Sequence, residues 1–74
     1  MENFQDRLKS LRKEKCVTQK AMSEYLGITV RAYQFYEEGR RYPDFHGLIA
    51  LADYFDVSLD YLVGRTDVPH RPPQ

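Results

Sequence analysis

Tryptophan is missing from this 74-residue sequence, cysteine occurs once, at Cys16, and the formal net charge is zero. A single thiol forms no internal disulfide and gives no ligand cluster for a metal. His46 and His70 are isolated, so neither a zinc spacing nor a Ser/His/Asp set can be assembled. No glycine-rich phosphate loop is present either. No catalytic residue, metal or cofactor is therefore expected. The chain has no signal peptide and no apolar run near 18 residues, which speaks against a membrane span and for a cytoplasmic protein. No stretch alternates apolar and polar side chains as a strand does. The length allows one domain, of a size that buries only about 60% of its unfolded-chain surface.

A net charge of zero argues at first against a nucleic-acid partner, but the charges are unevenly spread. Residues 1–20 carry six basic and three acidic side chains, and residues 21–64 carry three basic and seven acidic ones. Bases gather at Arg12, Lys13, Lys15, Lys20, Arg31, Arg40 and Arg41, and acids at Asp53, Asp56 and Asp60. A small body with one basic face suits a modest duplex binder. Ordinary solvated charges would give the same distribution.

Five amphipathic segments are present. Residues 3–14 open on Asn3 as an N-cap and place Phe4, Leu8 and Leu11 on one face, with Arg7, Lys9, Lys13 and Glu14 on the wet side. Thr18 caps a second helix carrying Met22 and Leu26, which ends at Gly27 in a left-handed turn. Thr29 caps a third helix to residue 38. Its Tyr33 and Tyr36, and Val30 in part, face inward, while Arg31, Gln34, Phe35 and Glu38 face outward. Gly39 and Pro43 bound a loop. Asp44 caps a fourth helix with a stripe of Leu48, Leu51, Ala52 and Phe55. Gly47 weakens its first turn by up to about 1 kcal/mol unless close packing requires it. Ser58 caps a fifth helix, in which Leu59, Leu62 and Tyr61 close the core before Gly64. Residues 65–74 hold no helix and read as a flexible tail. Residues 1–64 thus form one all-α, compact five-helix bundle. Within it, residues 18–38 are two helices too short to bury a core alone, joined by a glycine turn. That is a helix-turn-helix, whose usual use is to place its second helix in the DNA major groove.

The ordered set RLKSLRKEK from Arg7, Thr18-Gln19, Gly27, Tyr36-Glu37 with Gly39 following, Arg40-Arg41-Tyr42-Pro43 and VSLDYLVG ending at Gly64 resembles the lambda-repressor-like (Cro/repressor-type, Xre) helix-turn-helix family. The resemblance covers residues 7–64 and implies the five-helix DNA-binding fold of that family. It implies that Gln19 approaches a phosphate and braces the recognition helix. Val30, Arg31 and Phe35 would face base edges, with Gln34 beside them. Arg40, Arg41 and the backbone near Asp44 would meet the sugar-phosphate strand. Arg12 and Glu37 match a structural ion pair. Four positions depart from the pattern: Ser23 replaces alanine at the helix crossing, Val30 and Phe35 replace polar or basic residues, and Cys16 replaces glycine. The last requires either a different turn or a left-handed cysteine.

Several of these residues have more than one reading. Arg31 either reads guanine O6 and N7 or meets a phosphate, if it is not simply paired with Glu38. Phe35 either touches a thymine methyl or folds onto the core rim. Lys20 and Arg40 suit phosphates, and Tyr42 either places its hydroxyl on one or packs beside Pro43. Together they point to a sequence-specific DNA-binding transcriptional regulator, a repressor in its expected mode of action, that binds double-stranded DNA as a weak homodimer. Helix five and the exposed aromatics Tyr54 and Tyr61 are the expected dimer surface. No membrane or small-molecule partner is evident. The alternative is a protein-interaction module, antitoxin-like or bridging, whose main partner is protein.

Overall fold

Side-chain caps set where every helix begins. The computed structural model describes residues 2–71. Its helices are α1 (Phe4–Glu14), α2 (Gln19–Leu26), α3 (Val30–Glu38), α4 (Phe45–Phe55) and α5 (Leu59–Leu62). Before each stands a polar residue whose side chain accepts from the backbone N–H three residues on. These are Asn3, Thr18, Thr29, Asp44 and Ser58, at 2.8–3.0 Å. Each such cap contributes about 1 kcal/mol. Gly27, at φ 71°, ends α2 in the left-handed region, where any other residue is strained. Cys16 adopts the same region at φ 57° without being glycine. The first-helix exit therefore keeps a left-handed residue.

The core takes side chains from every helix. Leu8, Met22, Tyr33, Leu51 and Leu62 are fully buried, and Phe4, Leu11, Ala52 and Val57 surround them. Where α2 packs on α3, Ser23 is buried and its hydroxyl donates to the Lys20 carbonyl at 2.7 Å. A small polar residue is thus satisfied within its own helix. Gly47 is required by close packing, because a Cβ there would lie 2.9 Å from that of Pro43.

Three expectations are corrected. Arg7 does not take the wet side: only 3% of it is exposed. Its guanidinium donates to Glu2 and Asp67 carboxylates at 3.1 Å and to the Tyr61 and Thr66 carbonyls at 3.1 and 3.4 Å. It also lies 3.8 Å from the centre of the Tyr61 ring. Leu59 does not close the core; it is among the exposed large apolar residues. Tyr54 and Tyr61 are half-buried rather than free: Tyr54 packs on Tyr25 and Phe55, and Tyr61 lies under Arg7.

Residues 65–71 hold no helix, yet they are tied to the body. Besides the two bonds to Arg7, the Ser58 N–H donates to the Pro69 carbonyl at 3.1 Å. Arg71 pairs with Asp53 at 2.7 Å and Asp56 at 3.3 Å. Residues 72–74 of the expected tail lie outside the described residues.

Arg7 serves α1, α5 and the strap at once. Arg7→Ala leaves the part-buried Tyr61 and Thr66 carbonyls without their donor and should lower stability by about 3 kcal/mol. Lys9→Ala, on the exposed face of the same helix, should stay within about 0.5 kcal/mol. Urea titration of both variants checks the contrast, and equal effects would mean that Arg7 is not the clamp.

Candidate nucleic-acid interface

The surface around α3 is built outward from one buried carboxylate. Glu37 is 3% exposed, on the inner side of α3. It accepts from Arg12 at 2.6 and 3.1 Å, from the Tyr33 hydroxyl at 2.6 Å and from the Gln19 amide at 3.2 Å. Arg12 also donates to the Val17 carbonyl at 2.9 Å, tying down the α1–α2 connection. Burial pushes the Glu37 carboxyl up, but the bonds from Arg12, Tyr33 and Gln19 outweigh it and hold the carboxyl below its ordinary value. The Tyr33 hydroxyl is pushed well up, by burial and then by its bond to Glu37. Arg12 is raised by its bond to Glu37. One ionised group therefore fastens α1, α2 and α3 together. Arg12 and Glu37, which the resemblance matched to an ion pair, are paired, and Gln19 bonds to both Glu37 and Gln34 of α3. Tyr33 as a donor was missed, although a tyrosine four residues before a glutamate on one helix face is a readable signal.

From Glu37 a hydrogen-bonded chain runs to the surface. The Gln34 amide nitrogen donates to Gln19 Oε1 at 3.3 Å, and Arg31 Nη1 donates to Gln34 Oε1 at 3.4 Å. A carboxylate only accepts, so Gln19 must turn its NH₂ towards Glu37 and its oxygen towards Gln34. The Gln34 amide is oriented in turn, with its oxygen towards Arg31. The buried charge thereby sets the direction of both amides.

The outward face of α3 carries Val30, which is 37% exposed, and the exposed Arg31. Phe35 is half-buried rather than freely exposed. Arg31 and Arg41 both lie over its ring, 4.6 and 5.3 Å from its centre. Glu38 pairs with Arg40 at 3.2 Å and not with Arg31. Among the described residues, Lys20, Arg31 and Arg41 make no ion pair. Tyr42 is exposed, and its ring packs against Phe4 at 5.7 Å, while Pro43 is buried. The structure thus brings Gln19, Gln34 and Arg31 into one chain and Arg31, Phe35 and Arg41 into one stack. Lys20, Arg40 and Tyr42 join neither.

Away from this surface, Phe4, Tyr42, Leu48 and Val63 line an open groove of about 440 Å³ between the start of α1 and the end of α5. No cluster of titratable groups converges on it. Among the described residues no three His, Cys, Asp or Glu side chains are placed to hold a metal ion, and no helix is long and apolar enough to cross a membrane.

A helix-turn-helix family model matches residues 8–62. The HTH-type transcriptional regulator YqaE of Bacillus subtilis is 50% identical over 60 residues, covering 81% of this chain and 52% of that protein. The chain spans about half the length of the curated relatives it matches. A transcriptional regulator from Listeria innocua superposes with a TM-score of 0.81 at 37% identity, over 84% of this chain and 58% of that one. The P22 c2 repressor, solved with a synthetic operator, superposes with a TM-score of 0.78 at 25% identity, over 85% of this chain and 96% of that one.

The Glu37 carboxyl has a lowered folded-state value, so its contribution to stability is complete above the ordinary value of 4.5. That contribution is lost as the pH falls below 4.5 and through the folded value. Glu37→Gln should cost about 3 kcal/mol at pH 7 and flatten the acid limb of stability against pH. Urea titrations from pH 7 to pH 3 check both, and an acid limb identical to wild type would contradict the role given to Glu37.

Proposed function

The chain belongs to the helix-turn-helix family, and on that premise we propose that it binds double-stranded DNA sequence-specifically and represses transcription by occupying an operator. The observation that carries this reading is the outward face of α3, where Arg31 stands without an acidic partner on a helix braced from below. A guanidinium kept free of carboxylates is available to an anionic or acceptor-rich ligand, and a duplex offers both. The P22 c2 repressor, solved in complex with a synthetic operator, supports a duplex as the partner, with α3 proposed to enter the major groove.

In this reading Arg31 reads a base, Val30 contacts an apolar base edge, and Gln34 reads a base or binds a phosphate. Gln19, Lys20, Arg40, Arg41 and Tyr42 fasten to the sugar-phosphate strands. Phosphate contacts set register and salt dependence, and base contacts set sequence. One unit of this size covers few base pairs. Two units on a two-fold site, with half-sites about 34–36 Å apart, would give tight binding. The proposed setting is the cytoplasm, and the proposed role is binding rather than catalysis. Tyr54 and Tyr61 are engaged within the fold, so we assign no dimer surface to them.

Gel-shift titration on duplexes selected from random sequence should show affinity falling steeply between 50 and 200 mM salt. Arg31→Ala should remove about 1–3 kcal/mol of discrimination at one base pair. Lys20→Ala should weaken all sequences alike and reduce the salt slope by about one. Uniform weakening by both variants would remove Arg31 from base reading. No binding even at 50 mM salt would favour a protein partner instead.

A further inference from the structure

Phe35 stands where an outward aromatic invites a direct base contact, but its surroundings point elsewhere. The ring is half-buried and carries two guanidinium groups, those of Arg31 from its own helix and Arg41 from the following loop. The Phe35 carbonyl also accepts from the N–H groups of Arg40 at 3.0 Å and Arg41 at 3.4 Å. Ring and backbone of one residue therefore hold the start of the loop against α3. Gathering two unpaired cations on one ring is electrostatically unfavourable for the free protein, and each is retained partly by attraction to the ring face. Such an arrangement becomes favourable when an anion binds between or beside them.

We propose that Phe35 is a positioning residue that sets Arg31 and Arg41 as a pair, so that the base-reading and strand-holding arginines engage one duplex together. This inference rests on the DNA-binding reading above. Phe35 itself then touches no base. Arg31 has two supports, the Phe35 face and the oriented Gln34 oxygen at 3.4 Å. Arg41 lies on the Phe35 ring alone and has no acidic partner among the described residues. Loss of the ring should therefore release Arg41 more than Arg31, weakening affinity more than base preference.

The test is a cycle of substitutions in the full chain, assayed on the duplex selected by the wild type. Phe35→Leu keeps an apolar side chain without the aromatic face and should lower affinity about four- to twenty-five-fold, two- to fivefold for each arginine. Phe35→Tyr restores the face and should stay within about twofold of wild type. In an Arg31→Ala/Arg41→Ala background, Phe35→Leu should change affinity by less than about twofold. The same loss in that background would overturn the proposal. So would a thymine-to-deoxyuridine replacement that weakens wild type but not Phe35→Leu, since that marks a methyl contact by Phe35. The stack is also read without any variant: in the free wild-type protein, ring current should move the Cδ protons of Arg31 and Arg41 upfield, and ordinary positions for both would overturn it. A wild type that bound no DNA would overturn this inference and the reading beneath it. Independent Phe35 behaviour in a protein that does bind would overturn this inference alone.

Discussion

Glu37 accepts four hydrogen bonds from three residues, Arg12, Tyr33 and Gln19, in a position almost closed to water. Helices of eight and nine residues are too short to hold their geometry by backbone bonding alone. Apolar contact between them is adaptable and would allow several crossing angles. A buried carboxylate allows few, because each donor must reach it at bonding distance, and an unpaired charge at that depth would be costly. The ion pair thus contributes definition to the α1–α2–α3 arrangement as well as stability.

Definition at the buried end is transmitted to the surface. The acceptor-only carboxylate orients Gln19, Gln19 orients Gln34, and Gln34 supports Arg31. A second support reaches Arg31 from the Phe35 ring. The outward face of α3 is therefore held in advance of any ligand, which lowers the ordering cost of binding. On the far side Arg7 does a comparable task, closing α1 onto α5 and the strap of residues 65–71. Two arginines of α1, the buried Arg7 and the partly buried Arg12, thus tie that helix to different parts of the fold.

Much of the fold was legible because it rests on short-range rules. Asn3, Thr18, Thr29, Asp44 and Ser58 each sit just before an apolar stripe and each caps as expected. Gly27 follows from the helix end alone, whereas the family resemblance left Cys16 with either a different turn or a left-handed conformation, and the structure has the latter. Arg7 was misread by residue type, although its spacing was informative: three after Phe4 and four before Leu11, it lies on the apolar stripe of α1. Its partners Tyr61, Thr66 and Asp67 are more than fifty residues away, and no local pattern shows them. The same distance hides the strap, whose composition predicts no helix but says nothing of Ser58 bonding to Pro69. Leu59 is exposed because α5 is a single short turn, which buries Leu62 fully and packs Tyr61 against the core only in part. At the interface the outward residues were identifiable from helical period. The stacking of Arg31 and Arg41 on Phe35 was not, because it joins a helix to a loop whose path no spacing rule predicts.

Under the proposed function, the surface from Val30 to Phe35, with the loop after it, meets the duplex while the α5 side stays free. Amide shifts of the isotope-labelled protein, followed as the selected duplex is titrated in, report this residue by residue. The account predicts changes concentrated at residues 18–20, 29–36 and 39–44. Changes concentrated at residues 59–68, with those of α3 unmoved, would contradict it.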